Sequence, residues 1–162
     1  MIMRTIHLSS GNFALVDDED FDNLKHFTWF EHKGYVARTI NYTYGGKKRT
    51  KYVSMHRSIM KTPKWLCVDH IDHNTLNNQK YNLRNCSIGE NNKNQRMQKN
   101  NTVGYKGVYF EKCSGKFKAQ IGQKGGRKNL GRFKTALEAA KAYNVAALKD
   151  FGEFAKLNEI PA

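Results

Sequence analysis

Two four-residue runs frame what this chain can fold into. Ser87-Ile88-Gly89-Glu90 and Thr135-Ala136-Leu137-Glu138 each place a hydroxyl at a helix N-cap and a glutamate three positions on, the reciprocal arrangement of a capping box. A helix starts at each, and each follows short runs that read as strand. Cys67-Val68-Asp69-His70 is an apolar run ending in two polar groups, and Leu83-Arg84-Asn85-Cys86 can return antiparallel to it across an Asn/Gln-rich loop. Ahead of the second box, segments 107–111, 116–122 and 127–133 read as three strands, with turns at Cys113-Ser114-Gly115 and Gln123-Lys124-Gly125-Gly126. The middle strand alternates, with Phe117, Ala119 and Ile121 on one face and Lys116, Lys118 and Gln120 on the other. The second helix runs to about residue 150 with Gly152 as its stop, and Ala136, Ala140, Tyr143 and Ala147 form a stripe able to lie close on the sheet. Upstream, 4–8, 13–16, 27–31, 34–40 and 51–54 read as strands, and Asp17-Asp18-Glu19-Asp20 as solvated acids opening a short helical turn. The class is therefore α+β. It divides into a small N-terminal antiparallel β segment (1–60), a ββα unit (61–96), a basic linker (97–103) and a three-stranded antiparallel sheet packed on one helix (104–162).

The 162 residues carry a formal charge of +14, which points to a polyanionic partner. The charge is uneven. Residues 93–134 hold twelve Lys or Arg against the single acid Glu111, whereas the first 92 residues hold thirteen basic and nine acidic residues. Tyr and Phe are interleaved with those cations, as phosphate binding favours. The tip Gly45-Gly46-Lys47-Lys48-Arg49 is a further exposed basic turn suited to a backbone contact. Cys67, Cys86 and Cys113 include no C-x-x-C pair, so neither a disulfide framework nor a structural zinc is expected. With no signal peptide and no run of about 18 apolar residues, the expectation is a cytoplasmic protein with no membrane partner. No Walker loop calls for ATP, and no small-molecule substrate is expected.

The sharpest chemistry sits around Asp69-His70. Asn82 lies 12 positions after His70, and Asn91 lies 9 after Asn82 in the first turn of the expected helix, sharing a face with Asn94. These groups can place one general base and two oxygen ligands for a hard metal ion around a phosphodiester. An imidazole with an ordinary pKa of about 6.5 accepts a proton at pH 7. Mg²⁺ prefers oxygen and needs only one or two ligands from protein. Each feature alone reads as a surface pair or a turn; their joint spacing carries the chemical reading. His73 can be a turn residue, a third ligand or a phosphate contact, with the turn favoured, and His56 is read as structural.

This order resembles the HNH endonucleases, whose ββα-metal unit holds one divalent cation between two strands and a helix. The resemblance makes His70 the base that deprotonates water, Asp69 and Asn91 the metal ligands, and Asn82 the brace of the motif. Mg²⁺ or another divalent cation such as Mn²⁺ is the implied cofactor. From residue 104 to about 158, GYKGVYF, GKFKAQI, NLGRF, the Ala-rich helix and FGEFAKLN resemble the DNA-binding domain of plant ethylene-response factors. In that family the sheet enters the major groove, which carries over to Lys106, Gly107 and Tyr109, to Lys118 and Gln120, and to Arg127 and Asn129. Lys106, Tyr109 and Glu111 replace the arginines of the first strand, and Asn129 stands where a tryptophan is expected. The fold carries over; the base preference does not. Arg57, Arg84, Asn94 and Arg96 complete the expected DNA-contacting set. The whole order resembles phage-encoded homing endonucleases, which implies double-stranded DNA as partner, a monomer or homodimer, and the host cytoplasm. The alternative is a non-catalytic DNA-binding transcription regulator, with RNA binding a weaker third reading.

Overall fold

Alternation along the first strands decides how they pair. In the computed structural model, which describes residues 2–123 and 125–161, β1 (Met3–His7) and β2 (Phe13–Asp17) run antiparallel with Ile6 opposite Ala14. Ile6, Ala14 and Val16 are buried, as a half-buried hairpin requires. Helix α1 (Asp18–Leu24) follows, its first turn holding Asp18, Glu19 and Asp20. Strands β3 (Phe30–His32), β4 (Tyr35–Tyr44) and β5 (Lys47–Ser54) form a sheet in that order. Helix α2 (Met55–Met60) ends at Lys61 in the left-handed conformation (φ 47°). Strands β6 (Cys67–His70) and β7 (Leu83–Cys86) then pair antiparallel.

The chain divides into two compact units, residues 1–88 and 89–162. In the first, Val16, Trp29, Val36, Met55, Val68 and Leu83 share one core, so the N-terminal strands and the β6–β7 hairpin stabilise each other. Two strand expectations shift. The hairpin of β4 and β5 stays paired to Tyr44 and Lys47 because Gly45 and Gly46, at φ 57° and 73°, supply the two positive-φ residues of a tight hairpin turn. Strand β3 begins only at Phe30, since Trp29 turns inward and its indole N–H donates to the Leu24 carbonyl at 2.9 Å.

Helix α3 (Ile88–Lys93) starts at the junction of the units, with Ser87 immediately before it and Glu90 in its first turn. The second unit contains β8 (Val108–Glu111), β9 (Lys116–Gln123) and β10 (Gly126–Phe133), antiparallel in the order β10-β9-β8, and α4 (Ala136–Phe151). Lys124, part of the expected turn between the last two strands, lies outside the described residues. The Thr135 capping box forms on both sides: Glu138 N–H donates to the Thr135 hydroxyl at 3.2 Å, and Thr135 N–H donates to the Glu138 carboxylate at 3.2 Å. Ala139, Ala140, Tyr143 and Ala147 are the buried residues of α4 and meet Val108, Ala119 and Ile121 of the sheet. Gly107, at φ 75°, lies so close to the helix that an added Cβ would come within 2.3 Å of the Tyr143 ring.

The stretch before β8 is tied into this unit. Asn101 accepts from Val103 N–H and Gly104 N–H, both at 2.9 Å, and donates to the carbonyls of Tyr105 and Val108. Beyond α4, Asn158 exchanges two hydrogen bonds with Asn144 and two with the backbone of Lys106. Among the described residues no helix is long and apolar enough to cross a membrane.

Candidate active site

The β6–β7 hairpin positions the residues singled out by their spacing. Its register sets Asp69 opposite Arg84 and His70 opposite Leu83. Alternation along β6 turns Asp69 toward Arg84, whose Nε and Nη2 donate to Asp69 Oδ2 at 3.0 and 2.7 Å. Both side chains are largely buried, at 6% and 11% exposed. A carboxylate gripped at one oxygen by a guanidinium is held in a fixed orientation, the support that a metal-ligating carboxylate requires.

His70 is buried among aromatic neighbours. Its ring lies 5.2 Å from that of His56, edge-on, and 6.0 Å from that of Tyr35. Burial pushes the His70 imidazole below its ordinary pKa, while the Asn78 side chain and the charges of Asp72 and Asp69 pull the other way without reversing the shift. The His70 imidazole is therefore mostly uncharged at pH 7. His56, 6% exposed at the start of α2, is driven further down, to about 3, by burial and then by His70 and Arg57. Its Nδ1 has no hydrogen-bond partner among the described residues.

The loop between the strands is organised by Asn82. Its Oδ1 accepts from Asp72 N–H at 2.9 Å, and its Nδ2 donates to Asp72 Oδ1 at 2.8 Å and to the Asn77 carbonyl at 2.9 Å. Asn82 is 2% exposed, so these bonds replace water entirely. Asp72 also accepts from Asn74 N–H and from Asn77. Burial raises the Asp72 pKa, but those donors and the nearby His70 outweigh it and hold the carboxyl below its usual range. His73 sits at φ 63° with its N–H on the His70 carbonyl, the geometry of a turn residue.

Two contributors are not visible in the sequence: Asp72 belongs to no motif there, and Asp17 reads as one of the solvated acids. Asp17 is instead 1% exposed: its Oδ1 accepts from Gln79 at 3.0 Å and its Oδ2 from Lys80 N–H at 2.8 Å, anchoring the loop to β2. Asp17, Glu19 and Asp20 lie close enough to form an acidic cluster. The Lys80 ammonium already occupies its edge, 2.6 Å from Glu19 and 3.1 Å from Asp20. The only sequence sign of this link is the lysine among the amides of the loop.

The other expected residues separate into two groups. On the second unit, register places Tyr109, Lys118, Gln120, Arg127 and Asn129 on the face of the sheet opposite α4. A groove lined by Tyr109, Gln120 and Arg127, and by Tyr143 of α4, also takes in Arg96, and the Arg127 guanidinium lies 5.9 Å from the centre of the Tyr109 ring. The remaining residues have internal work. Lys106 donates its ammonium to the carbonyls of Lys93 and Gln95 at 2.8 and 2.6 Å, and burial lowers its pKa to about 8. Arg57 donates to the carbonyls of Thr62, Pro63 and Leu66, clamping the loop before β6. Asn94, just beyond α3, is buried. Asn91 stands within α3, in the second unit.

The chain is 32% identical over 151 residues to an uncharacterised HNH endonuclease of Acanthamoeba polyphaga mimivirus, the match taking in 93% of this chain and 76% of that protein. The chain belongs to the HNH endonuclease family. No protein-family model and no solved structure matches it. Around the hairpin that carries Asp69 and His70, Arg84 grips Asp69, Asn82 and Asp72 order the connecting loop, and Asp17 ties that loop to β2.

Proposed function

We propose that this protein is a metal-dependent DNA endonuclease in which His70 is the general base and Asp69 a metal ligand. The observation that carries the reading is a neutral, buried imidazole adjacent in sequence to a carboxylate oriented by Arg84, in a chain of the HNH family. The donor chemistry fits a hard divalent cation. Asp69 offers carboxylate oxygen, and Mg²⁺ needs only one or two such ligands from protein. When bound, such an ion neutralises phosphate charge and stabilises the alkoxide leaving group.

The chain's own groups do the rest. His70 accepts a proton from the attacking water, for which one ring nitrogen within reach of that water suffices. Arg84 holds Asp69 in register, and Asn82 fixes the loop through Asp72 so that the His70 end of β6 keeps its place. Targeting falls to the second unit. The basic sheet face of Tyr109, Lys118, Gln120, Arg127 and Asn129 meets duplex DNA in the manner of the ethylene-response-factor domain, with Arg127 able to reach guanine and Gln120 adenine.

Purified protein incubated with plasmid and phage DNA, with and without Mg²⁺ or Mn²⁺, tests this. The expected result is cleavage that requires the metal and falls by at least about 100-fold in His70→Ala, the scale of general-base catalysis, with DNA binding retained. Metal-dependent cleavage that persists unchanged in His70→Ala would remove His70 as base. Tight, salt-sensitive binding without cutting under any metal would establish the DNA-binding regulator instead.

A further inference from the structure

The hairpin of β4 and β5 outgrows the body of its unit. Strand β3 pairs only with Tyr35 to Ala37, so from Arg38 to Tyr44 the hairpin is a two-stranded ribbon with no third strand beside it among the described residues. Seven residues at about 3.3 Å each give it a reach of roughly 23 Å. From Thr39 outward both faces are exposed. The ribbon is thus not a fold element that buries a core.

Its two faces differ. Directly opposed residues of an antiparallel pair share a face, and the register sets Tyr44 opposite Lys47, Tyr42 opposite Arg49 and Ile40 opposite Lys51. One face therefore presents three successive pairs of a bulky apolar group and a cation, with Ile40, Tyr42 and Tyr44 at 37%, 46% and 74% exposed. Toward the tip, the other face carries the Asn41–Thr50 pair, joined by a 2.9 Å hydrogen bond, and Thr43 opposite Lys48. Cross-strand pairing steadies the ribbon, and charges keep its edges from joining other sheets. Either purpose would be served by cations and anions alike. Yet between Glu31 and Asp69 the sequence holds nine Lys or Arg and no Asp or Glu.

We infer that this face of the ribbon is a second DNA-binding surface, carried by the same unit as His70 and separate from the basic sheet of the second unit. A B-form major groove about 12 Å wide admits a two-stranded ribbon, whereas the deep, narrow major groove of duplex RNA does not. Lys47, Arg49 and Lys51, spaced about 7 Å apart along one strand, meet phosphates, while Tyr42 and Tyr44 pack on sugars and base edges. The ribbon would hold the duplex on the unit that cuts, independently of the sheet that finds it. This inference rests on the DNA endonuclease reading for its partner, but its test does not require cutting.

The test measures duplex DNA binding by full-length protein in a His70→Ala background over a series of salt concentrations. Lys47→Gln, Arg49→Gln and Lys51→Gln together should flatten the slope of log affinity against log salt by about 2.7, or about 0.9 for each phosphate no longer neutralised, and weaken binding at least about tenfold. Tyr42→Ser with Tyr44→Ser should weaken binding while leaving the slope unchanged. Lys25→Gln, Lys141→Gln and Lys149→Gln remove the same charge from outside the ribbon and should change the slope by less than one unit. Circular dichroism and thermal melting establish that each variant is folded. An unchanged slope in the ribbon variant, an equal change in the charge-matched control, or stronger competition by duplex RNA than by duplex DNA would overturn the assignment. If the wild type binds DNA with the expected ribbon dependence but never cleaves it, the ribbon stands and the endonuclease reading fails.

Discussion

Asn82 shows how one side chain can hold a site together. Its amide makes three bonds within the loop, and the one to the Asn77 carbonyl is buried, so Asn82→Ala leaves that carbonyl without this donor. At about 1–3 kcal/mol for a buried group left unsatisfied, the variant should lose about 1–3 kcal/mol in a urea melt. Cleavage should fall with it, because the loop returns directly into the strand opposite His70. A melt unchanged within 0.5 kcal/mol, roughly the size of a neutral surface substitution, would show that the ring of bonds around Asp72 is not structural. The hairpin that carries Asp69 and His70 was legible in the sequence, from its two short apolar runs and the polar loop between them. Asp17 was not, since its partners Gln79 and Lys80 lie more than sixty positions away and a local reading sees only an acid at a turn. Arg57 and Lys106 were legible as cations but not as clamps, because the carbonyls that hold them are invisible in sequence.

At the scale of elements, strands and helices followed from alternation and capping, and their lengths from turns. The Thr135 box was readable because both of its partners lie within four residues; Thr135→Ala should lower stability by about 1 kcal/mol, read as a shift in the denaturation midpoint with unchanged slope. The length of the β4–β5 ribbon was harder to read, since Thr, Tyr and Lys alternate there with no buried face to mark the period. The closeness of β8 to α4 was also hidden. Gly107 read as a residue facing DNA, yet it is the point where strand and helix touch. Gly107→Ala must relieve both a left-handed backbone and a Cβ overlapping Tyr143, and should cost about 2–4 kcal/mol. Because the chain forms two units, hydrogen exchange should speed up in β8, β9 and β10 while the amides of β6 and β7 keep their protection. Equal loss of protection in both units would show instead that they unfold as one.

Across the whole molecule, charge profile and family were written in the sequence, but the response to acid depends on which histidines are buried. His56 and His70 share one pocket and both titrate below the ordinary imidazole range, burial being the chief cause. Each is neutral when folded and binds a proton readily when unfolded. Above about pH 6.5 neither state is protonated and the full stability is present; as pH falls below that value the unfolded chain binds more protons, and stability drops. For His56 the slope reaches about 1.4 kcal/mol per pH unit and persists toward pH 3, the value to which it is driven, and His70 adds a loss of the same sign. Asp72, held below its usual range, adds a loss of the same sign only at lower pH. Urea melts from pH 7.5 to 4.5 should therefore show the first unit weakening well before carboxylates titrate. His56→Phe, which keeps a ring in the pocket but cannot take up a proton, should reduce the slope between pH 6 and 4.5 by about one proton. Cleavage per folded molecule should hold below pH 6.5, because a depressed His70 stays a base, so acid inactivation should track unfolding. A stability profile flat between pH 6.5 and 4.5 would show that the pair takes up protons in the folded chain as readily as in the unfolded one, and an identical slope in His56→Phe would show that His56 is not the group responsible.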